Sequence, residues 1–207
     1  MSQIWREERM RHSSSKASSF WLIVLGAIGA LVTAIIISLV GVYAGLYNVA
    51  ADVPHSQAVY WLLETAREQS IAKRAADIRV PRDLDSADRI ASGAGQYANM
   101  CANCHLAPGM ERTEMSRGLY PRAPELHRGN HMSAAEEFWV IKHGIKATGM
   151  PAWGVTHSDD MVWDIVAFLR KLPDLSTDDY KALVEKAPSH DEIVEERTES
   201  ESSGHSH

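Results

Sequence analysis

Five consecutive residues carry the clearest chemistry in this chain of 207 residues. Residues 101–105 spell C-A-N-C-H, an instance of C-x-x-C-H, the attachment signature of c-type haem. Thiols three residues apart lie on the same side of one helical turn, where both can add to the vinyl groups of one porphyrin. The imidazole of His105 can then bind the iron. Cys101, Cys104 and His105 therefore predict one covalently bound haem c, with His105 as an axial ligand.

Other uses of the cysteine pair fit the sequence less well. A redox-active pair is typical of a thioredoxin-like βαβ context, and no strand-like alternation surrounds residue 101. A zinc site needs a second pair of soft ligands, but Cys101 and Cys104 are the only cysteines. A disulfide across three residues closes a very small loop and stabilises little. Only the haem interpretation also uses His105.

The second axial ligand decides between electron transfer and chemistry at an open iron. Five methionines follow the motif: Met110, Met115, Met132, Met150 and Met161. Met161 falls on the apolar stripe of a predicted helix, and the first three lie in polar loops. Met150 stands between Gly149, which permits close backbone approach, and Pro151, which fixes its own φ. This setting favours Met150 as the ligand, the alternative being an ordinary loop methionine.

A long apolar segment near the start of the chain predicts a membrane anchor. Residues 20–51, 32 in number, contain no Asp, Glu, Lys or Arg, whereas a bilayer core needs about 20 helical residues. A cleavable signal peptide has an apolar region of about 7–15 residues, so the length favours a retained anchor over cleavage near residues 49–51. The basic residues of 1–19 predict a cytoplasmic N-terminus under the positive-inside rule. Residues 52–207 are then periplasmic, where bacteria attach haem covalently.

The remaining pattern predicts helices only. An amphipathic helix from Pro54 to about Ala76 is expected to hold a domain just off the membrane. Its Tyr60 and Trp61 fit either the lipid headgroup level or packing against that domain. The core helices are expected over Asp88–Asn99, from a Ser133/Glu136 capping box to His143, and from about Ser158 to just before Pro173. Residues 106–132 are expected as loops, and Thr177–Lys186 as a short surface helix.

Charge and histidine content exclude some functions. The net charge is −6, and residues 176–207 alone hold nine acidic and three basic residues. No basic patch of the nucleic-acid-binding type is present. His127 and His131 are interpreted as solvated loop residues, and the histidines of the C-terminal tail as part of a disordered segment or tag. His143 is either an exposed helix-end residue or one that tunes exposure of the haem edge.

Three stretches together resemble a class I c-type cytochrome domain. They are C-A-N-C-H at 101–105, E-F-W-V-I-K-H-G at 137–144 and T-G-M-P-A-W at 148–153. The similarity spans about residues 86–173 and is greatest to single-haem modules of membrane-attached cytochromes and of cytochrome subunits in bacterial respiratory enzymes. It implies thioether links at Cys101 and Cys104, proximal His105 and axial Met150.

The same resemblance implies finer details of the domain. The first and last core helices are expected to cross near Gly93 and Tyr97, with Trp163 as a partner. The backbone carbonyl of Pro108 is expected to accept the imidazole proton. Leu106 and Ala107 depart from the family, in which glycine often follows the histidine. Ligation by histidine and methionine predicts a moderately positive couple, suited to accepting electrons from a quinol-oxidising complex.

Together these observations predict an all-α chain with five segments. They are a cytoplasmic N-terminus (1–19), a transmembrane anchor (20–47), a periplasmic stalk (48–81), a class I cytochrome c domain (82–175) and an acidic tail (176–207). The leading hypothesis is a non-enzymatic electron carrier, tethered to the inner membrane of a respiratory chain and passing single electrons between redox proteins such as a terminal oxidase or dehydrogenase. The alternatives are a fixed cytochrome subunit of a membrane dehydrogenase or oxidase and, with Met150 dissociated, a haem sensor or peroxidase.

Overall fold

The computed structural model describes residues 2–188, with side chains from Phe20 onward, and within that range every regular element is helical. The chain divides into two compact units, Met1–Ala50 and Ala51–His207. The first unit consists of helix α1, Ser2–Tyr43. Its segment Phe20–Tyr43 has 24 residues, a mean hydropathy of 2.8 and no buried side chain. That length and composition suit a membrane span.

Helix α1 ends four residues before the predicted end of the anchor. The backbone N–H of Leu46 donates to the carbonyl of Gly41 at 3.0 Å. Gly45 has a φ of 69°, the left-handed conformation that closes helices and that glycine adopts without strain. A local backbone motif therefore stops α1 at Tyr43 although the apolar sequence continues.

Helix α2, Gln57–Ala75, is the predicted amphipathic helix. Ser56 caps it by accepting from the backbone N–H of Val59. The second half of α2 buries Ile71 and Ala75 and packs against a core helix, whereas Trp61 in the first half is 67% exposed. Of the two environments considered for this ring, packing against the domain is therefore wrong.

Among the described residues of the second unit, six further α-helices and three short 3₁₀ turns surround the core. The α-helices are α3 (Ala87–Met100), α4 (Ala102–His105), α5 (Glu114–Gly118), α6 (Ala134–His143), α7 (Asp159–Lys171) and α8 (Thr177–Lys186). Short 3₁₀ turns occupy Leu126–Arg128, Trp153–Val155 and Leu172–Asp174. The predicted Ser133/Glu136 capping box starts α6, Gly144 ends it with a φ of 65°, and Ser158 caps α7. These local signals confirm the predicted core helices.

The crossing of α3 and α7 is the closest helix contact of the core. A Cβ on Gly93 would lie 2.6 Å from the carbonyl carbon of Asp164 and 2.9 Å from Cβ of Phe168. The ring of Tyr97 lies 5.3 Å from that of Phe168. The predicted crossing near Gly93 and Tyr97 is thus confirmed.

The prediction that Trp163 takes part in this crossing is wrong. Trp163 stacks on Phe138 of α6, with ring centroids 4.2 Å apart. Because consecutive helical residues point about 100° apart, the face of α7 that meets α3 carries Asp164 and Phe168. Trp163 therefore joins α7 to α6 instead.

Helix α8 has the predicted bounds but is more than a surface helix. Tyr180 is 8% exposed, its ring lies 6.3 Å from that of Phe168, and α8 packs against α3. The compact unit therefore continues past the predicted domain end at residue 175. The part of the acidic tail that was expected to be disordered lies mostly outside the described residues.

A buried ion pair lies beside the α3–α7 crossing. Arg89 Nη1 donates to the carboxylate of Asp164 at 2.8 Å, and Ser92 Oγ donates to the same carboxylate at 2.9 Å. Asp164 is fully buried. The same arginine also pairs at 3.1 Å with Asp160, whose side chain is 56% exposed. Arg89 therefore pairs with one buried carboxylate, that of Asp164, and with two exposed ones, those of Asp160 and Asp83.

This pair of aspartates allows a matched stability test. Asp164→Ala is expected to lower the free energy of unfolding by about 3–5 kcal/mol. The substitution removes the buried carboxylate that accepts from Arg89 Nη1 and from the hydroxyl of Ser92. Asp160→Ala should cost about 0–1 kcal/mol, as exposed pairs do. Denaturant titrations of the haem-loaded protein, followed by far-UV circular dichroism, measure both. Equal losses of unfolding free energy in the two variants would contradict the expectation that the buried pair stabilises the fold more than the exposed pair.

Candidate haem site

The predicted attachment motif lies where α3 gives way to α4. The N–H groups of Cys104 and His105 donate to the carbonyl of Cys101 at 3.1 and 2.9 Å, which forms a single helical turn. Both cysteines are free thiols; Cys101 is buried and Cys104 half-buried. The turn therefore presents two sulfurs and an imidazole in the order that thioether attachment needs.

The protonation of the thiols bears on the alternatives. Burial raises the pKa of Cys101 to about 12 and also raises the pKa of Cys104. Redox-active and metal-binding cysteines need the thiolate, which a raised pKa disfavours. In the part of the chain with described side chains, no group of three His, Cys, Asp or Glu residues could hold a metal ion. A thioether sulfur does not ionise, so burial of these sulfurs does not disfavour a covalent link to haem.

The ring of His105 is held by one backbone carbonyl. Its Nδ1 lies 2.9 Å from the carbonyl oxygen of Pro124, which can only accept, so Nδ1 carries the hydrogen. Nε2 is then left with its lone pair free for iron, the usual arrangement of a ligand histidine. Burial of the ring lowers the pKa of His105, which favours this neutral form.

The family resemblance implied that the carbonyl of Pro108 accepts the imidazole proton of His105. That expectation is wrong, since Pro124 supplies this carbonyl. Leu106 adopts a φ of 60° directly after α4, a conformation that glycine takes more easily. Its own carbonyl accepts from the buried hydroxyl of Tyr97. This turn fixes the path of residues 106–108 on the α3 side, and Pro124 supplies the carbonyl from a segment 19 residues away.

Residues 106–132 are more ordered than the predicted loops. Thr113 caps the short helix α5, and its hydroxyl donates to the carbonyl of Asn103 in α4. Glu125 forms ion pairs with Arg112 at 2.7 Å and with Arg128 at 2.9 Å. The hydrogen bond from Arg112 lowers the pKa of Glu125. The segment that carries Pro124 is thus anchored on both sides.

Met150 lies in a tightly cross-linked loop. Its N–H donates to Thr148 Oγ1 at 3.1 Å, and its carbonyl accepts from the N–H of Ile145 at 3.2 Å. A Cβ on Gly144 would lie 2.7 Å from the carbonyl carbon of Pro151. Met150 itself is half-buried and packs against the core. The loop therefore has the rigidity expected of one that presents a ligand.

One short segment touches both predicted ligand sites. Leu119 packs so closely on Gly149 that a Cβ there would overlap it, and Pro124, five residues later, holds His105. Residues 119–124 thus join the attachment motif to the methionine loop. Ligation of iron by His105 and Met150 remains a prediction. Among the alternatives, Met161 is buried in α7 as expected, and Met115 is 58% exposed.

Three side-chain atoms among the described residues are buried without a hydrogen-bond partner: Gln96 Oε1, His127 Nδ1 and Glu137 Oε2. His127 was predicted to be solvated, which holds for the exposed His131 but not for this buried nitrogen. His127 follows Pro124 by three residues, so this buried nitrogen lies in the segment that orients His105. Sequence patterns had no signal for this, because burial of a loop histidine depends on tertiary packing.

A surface cavity of about 420 Å³ lies elsewhere in the second unit. It opens between α2, α6 and α7, and its walls include Arg74, Trp139 and His143. None of the four predicted haem-site residues lines it. The side chain of His143 is exposed there beside Trp139, with ring centroids 5.0 Å apart. It is thus an exposed helix-end histidine, as in the first of the two interpretations.

One comparison with known proteins gives a match to the central part of the chain. Residues 88–169 match the family model described as cytochrome C oxidase, cbb3-type, subunit III. The match contains the C-A-N-C-H motif and the Met150 loop. Domains of this family carry covalently attached haem c and serve electron transfer. No match was found among curated proteins or among solved structures.

Proposed function

We propose that this chain, whose residues 88–169 form a class I c-type cytochrome domain, is a membrane-tethered periplasmic carrier of single electrons in a respiratory chain. The observation that supports it most is the imidazole of His105, oriented by Pro124 beside two thiols and joined through residues 119–124 to the Met150 loop. When bound, the haem supplies a reversible one-electron iron couple.

The proposed roles of the chain's own residues follow from their settings. Cys101 and Cys104 would hold the haem covalently, and His105 would bind the iron through Nε2, because Nδ1 faces the carbonyl of Pro124. Met150 would hold the iron through its thioether. With His105 and Met150 both bound, the haem would supply one-electron transfer and would leave no open site for peroxide or gases.

The membrane location is proposed from α1 and its flanks. Phe20–Tyr43 suits a span, and Arg6, Arg9, Arg11 and Lys16 lie before it. Under the positive-inside rule this flank stays in the cytoplasm. Because Phe20–Tyr43 crosses the membrane once, the cytochrome domain then lies in the periplasm. Protease treatment of intact spheroplasts tests the orientation: the haem-stained domain should be digested, and full protection would overturn it.

Met150→Leu tests the axial ligand. Leucine keeps the volume but removes the sulfur, so the reduction potential is expected to fall by on the order of 100 mV, within the roughly 0.8 V range that axial ligands set. The reduced protein should also begin to bind carbon monoxide. Redox titration and optical spectra, including the thioether-to-iron charge-transfer band of the ferric form, measure this.

Met161→Leu is the matched control for that substitution. Met161 is 3% exposed in α7, and a swap of similar volume costs little stability. The reduction potential and the charge-transfer band of Met161→Leu should equal those of the native protein. An unchanged potential and band in Met150→Leu would overturn ligation by Met150.

The description of the matched family favours one alternative, a fixed subunit of a larger oxidoreductase. That description names a subunit of an oxidase. Purification from membranes in mild detergent separates the two functions. A stoichiometric companion protein supports the subunit, whereas a cytochrome that purifies alone supports the carrier.

A further inference from the structure

The first half of α2 exposes apolar side chains on every side. Tyr60, Trp61, Leu62 and Leu63, here called the α2 patch, are 40, 67, 59 and 51% exposed. Because consecutive helical residues are about 100° apart, these four side chains point in all directions around the axis. A contiguous exposed apolar patch of this kind indicates contact with another protein or with a membrane.

The patch is continuous in sequence with the membrane span. Between Lys16 and Glu64 the only residue with a formal charge is Asp52. The connecting segment exposes further apolar side chains, among them Leu46 at 80% and Val49 at 88%. Charge returns at Glu64, which pairs with Arg67 at 3.1 Å. The apolar character that begins in the span thus persists to Leu63 and ends there.

The covalent tether limits how far the patch can move from a bilayer that holds the span. Residues 44–56, 13 in number, connect the end of α1 to the start of α2. Fully extended, such a segment reaches about 45 Å. Lipid is therefore at high effective concentration around the patch, whatever protein partners are present.

We propose that the α2 patch inserts into the headgroup region of the bilayer that anchors the chain. Tyr and Trp are the side chains enriched at that level, where an apolar ring and a polar tip meet both environments. Insertion of the two leucines removes further apolar area from water and so stabilises the inserted state. The inference rests on the membrane anchor of the proposed function.

Insertion has a consequence for electron transfer. Helix α2 packs against α6, and its second half buries Ile71 and Ala75, so α2 is part of the cytochrome domain. A patch held in the headgroup region therefore restricts the orientation of the whole domain. The carrier then meets partners in the same membrane with one face, and does not turn freely on its tether.

Site-specific photocrosslinking in the full-length, haem-loaded protein tests this. Trp61 or Leu62 is replaced by p-benzoylphenylalanine, and the protein is reconstituted in vesicles of phosphatidylethanolamine and phosphatidylglycerol. Irradiation should yield phospholipid adducts at both positions, detected by mass spectrometry of the intact chain. The matched negative control is position 73, where Lys73 is exposed in the second half of α2 and no adduct is expected.

Position 31 separates failure of this inference from failure of the anchor. Leu31 lies within Phe20–Tyr43, so p-benzoylphenylalanine there should also yield a lipid adduct. An adduct at 31 with none at 61 and 62 overturns the inserted patch and leaves the anchor. No adduct at 31 overturns the anchor and the inference together. In native membranes, a protein adduct at 61 in place of a lipid adduct also overturns the inference and favours a fixed subunit.

Discussion

The double substitution Cys101→Ala and Cys104→Ala is expected to abolish covalent haem attachment completely. The chain has only these two cysteines, so no other thiol can form a thioether. Loss should be total, since thioethers and not affinity retain the haem after denaturation. Haem staining of denaturing gels and the intact mass of the polypeptide measure it.

Single substitutions and a distant histidine provide the controls. Cys104→Ala keeps the buried Cys101 and should retain a haem through one thioether, with a shifted pyridine haemochrome band because one vinyl group stays unsaturated. His131→Ala removes an exposed imidazole and should load normally. Covalent haem in the double variant would disprove attachment at this motif.

Gly93→Ala is expected to prevent the cytochrome domain from folding stably. In a free helix alanine is favoured over glycine by about 1 kcal/mol. Here the added Cβ would overlap the backbone carbonyl of Asp164 and lie 2.9 Å from Cβ of Phe168. Backbone atoms cannot rotate away, so α3 and α7 must separate and lose the contact between Tyr97 and Phe168. Overpacking costs about 1–3 kcal/mol even where side chains can adjust, and more is expected here.

Gly118→Ala is the matched control, because a Cβ there meets nothing within 4 Å. Its yield of haem-loaded protein and its free energy of unfolding, measured by denaturant titration in detergent, should be nearly native. For Gly93→Ala the same measurements should give little loaded protein, or an unfolding free energy lower by more than about 3 kcal/mol. Native-like values would disprove the close crossing.

The all-α fold, the class I cytochrome c domain and its covalent haem cofactor were predictable from sequence because their signals are local. Cys101 and Cys104 are three positions apart, and helical periodicity alone brings their sulfurs together. The capping box of Ser133 and Glu136 and the stop at Gly144 act within one turn of α6. These predictions are confirmed, the cofactor by the family of the matched domain.

Contacts between distant residues were predicted less well. The sequence pattern predicts Trp163 at the α3–α7 crossing and a domain end before α8, and the structure shows neither. Both predictions considered one residue or one helix without the helices that pack against it. Which face of α7 meets α3, and whether Tyr180 becomes buried, depend on how three helices fill one core.

The sequence alone determined which atoms are available for chemistry: two thiols, the imidazole of His105 and the thioether of Met150. Only the tertiary structure decided how the imidazole is held. Pro124, and not Pro108, accepts its proton, because the left-handed turn at Leu106 and the hydroxyl of Tyr97 set the path after α4. A residue 19 positions away can become a neighbour only when helix packing and ion pairs bring its segment back. Motif chemistry is therefore readable from spacing, whereas orientation and burial arise from the packed core.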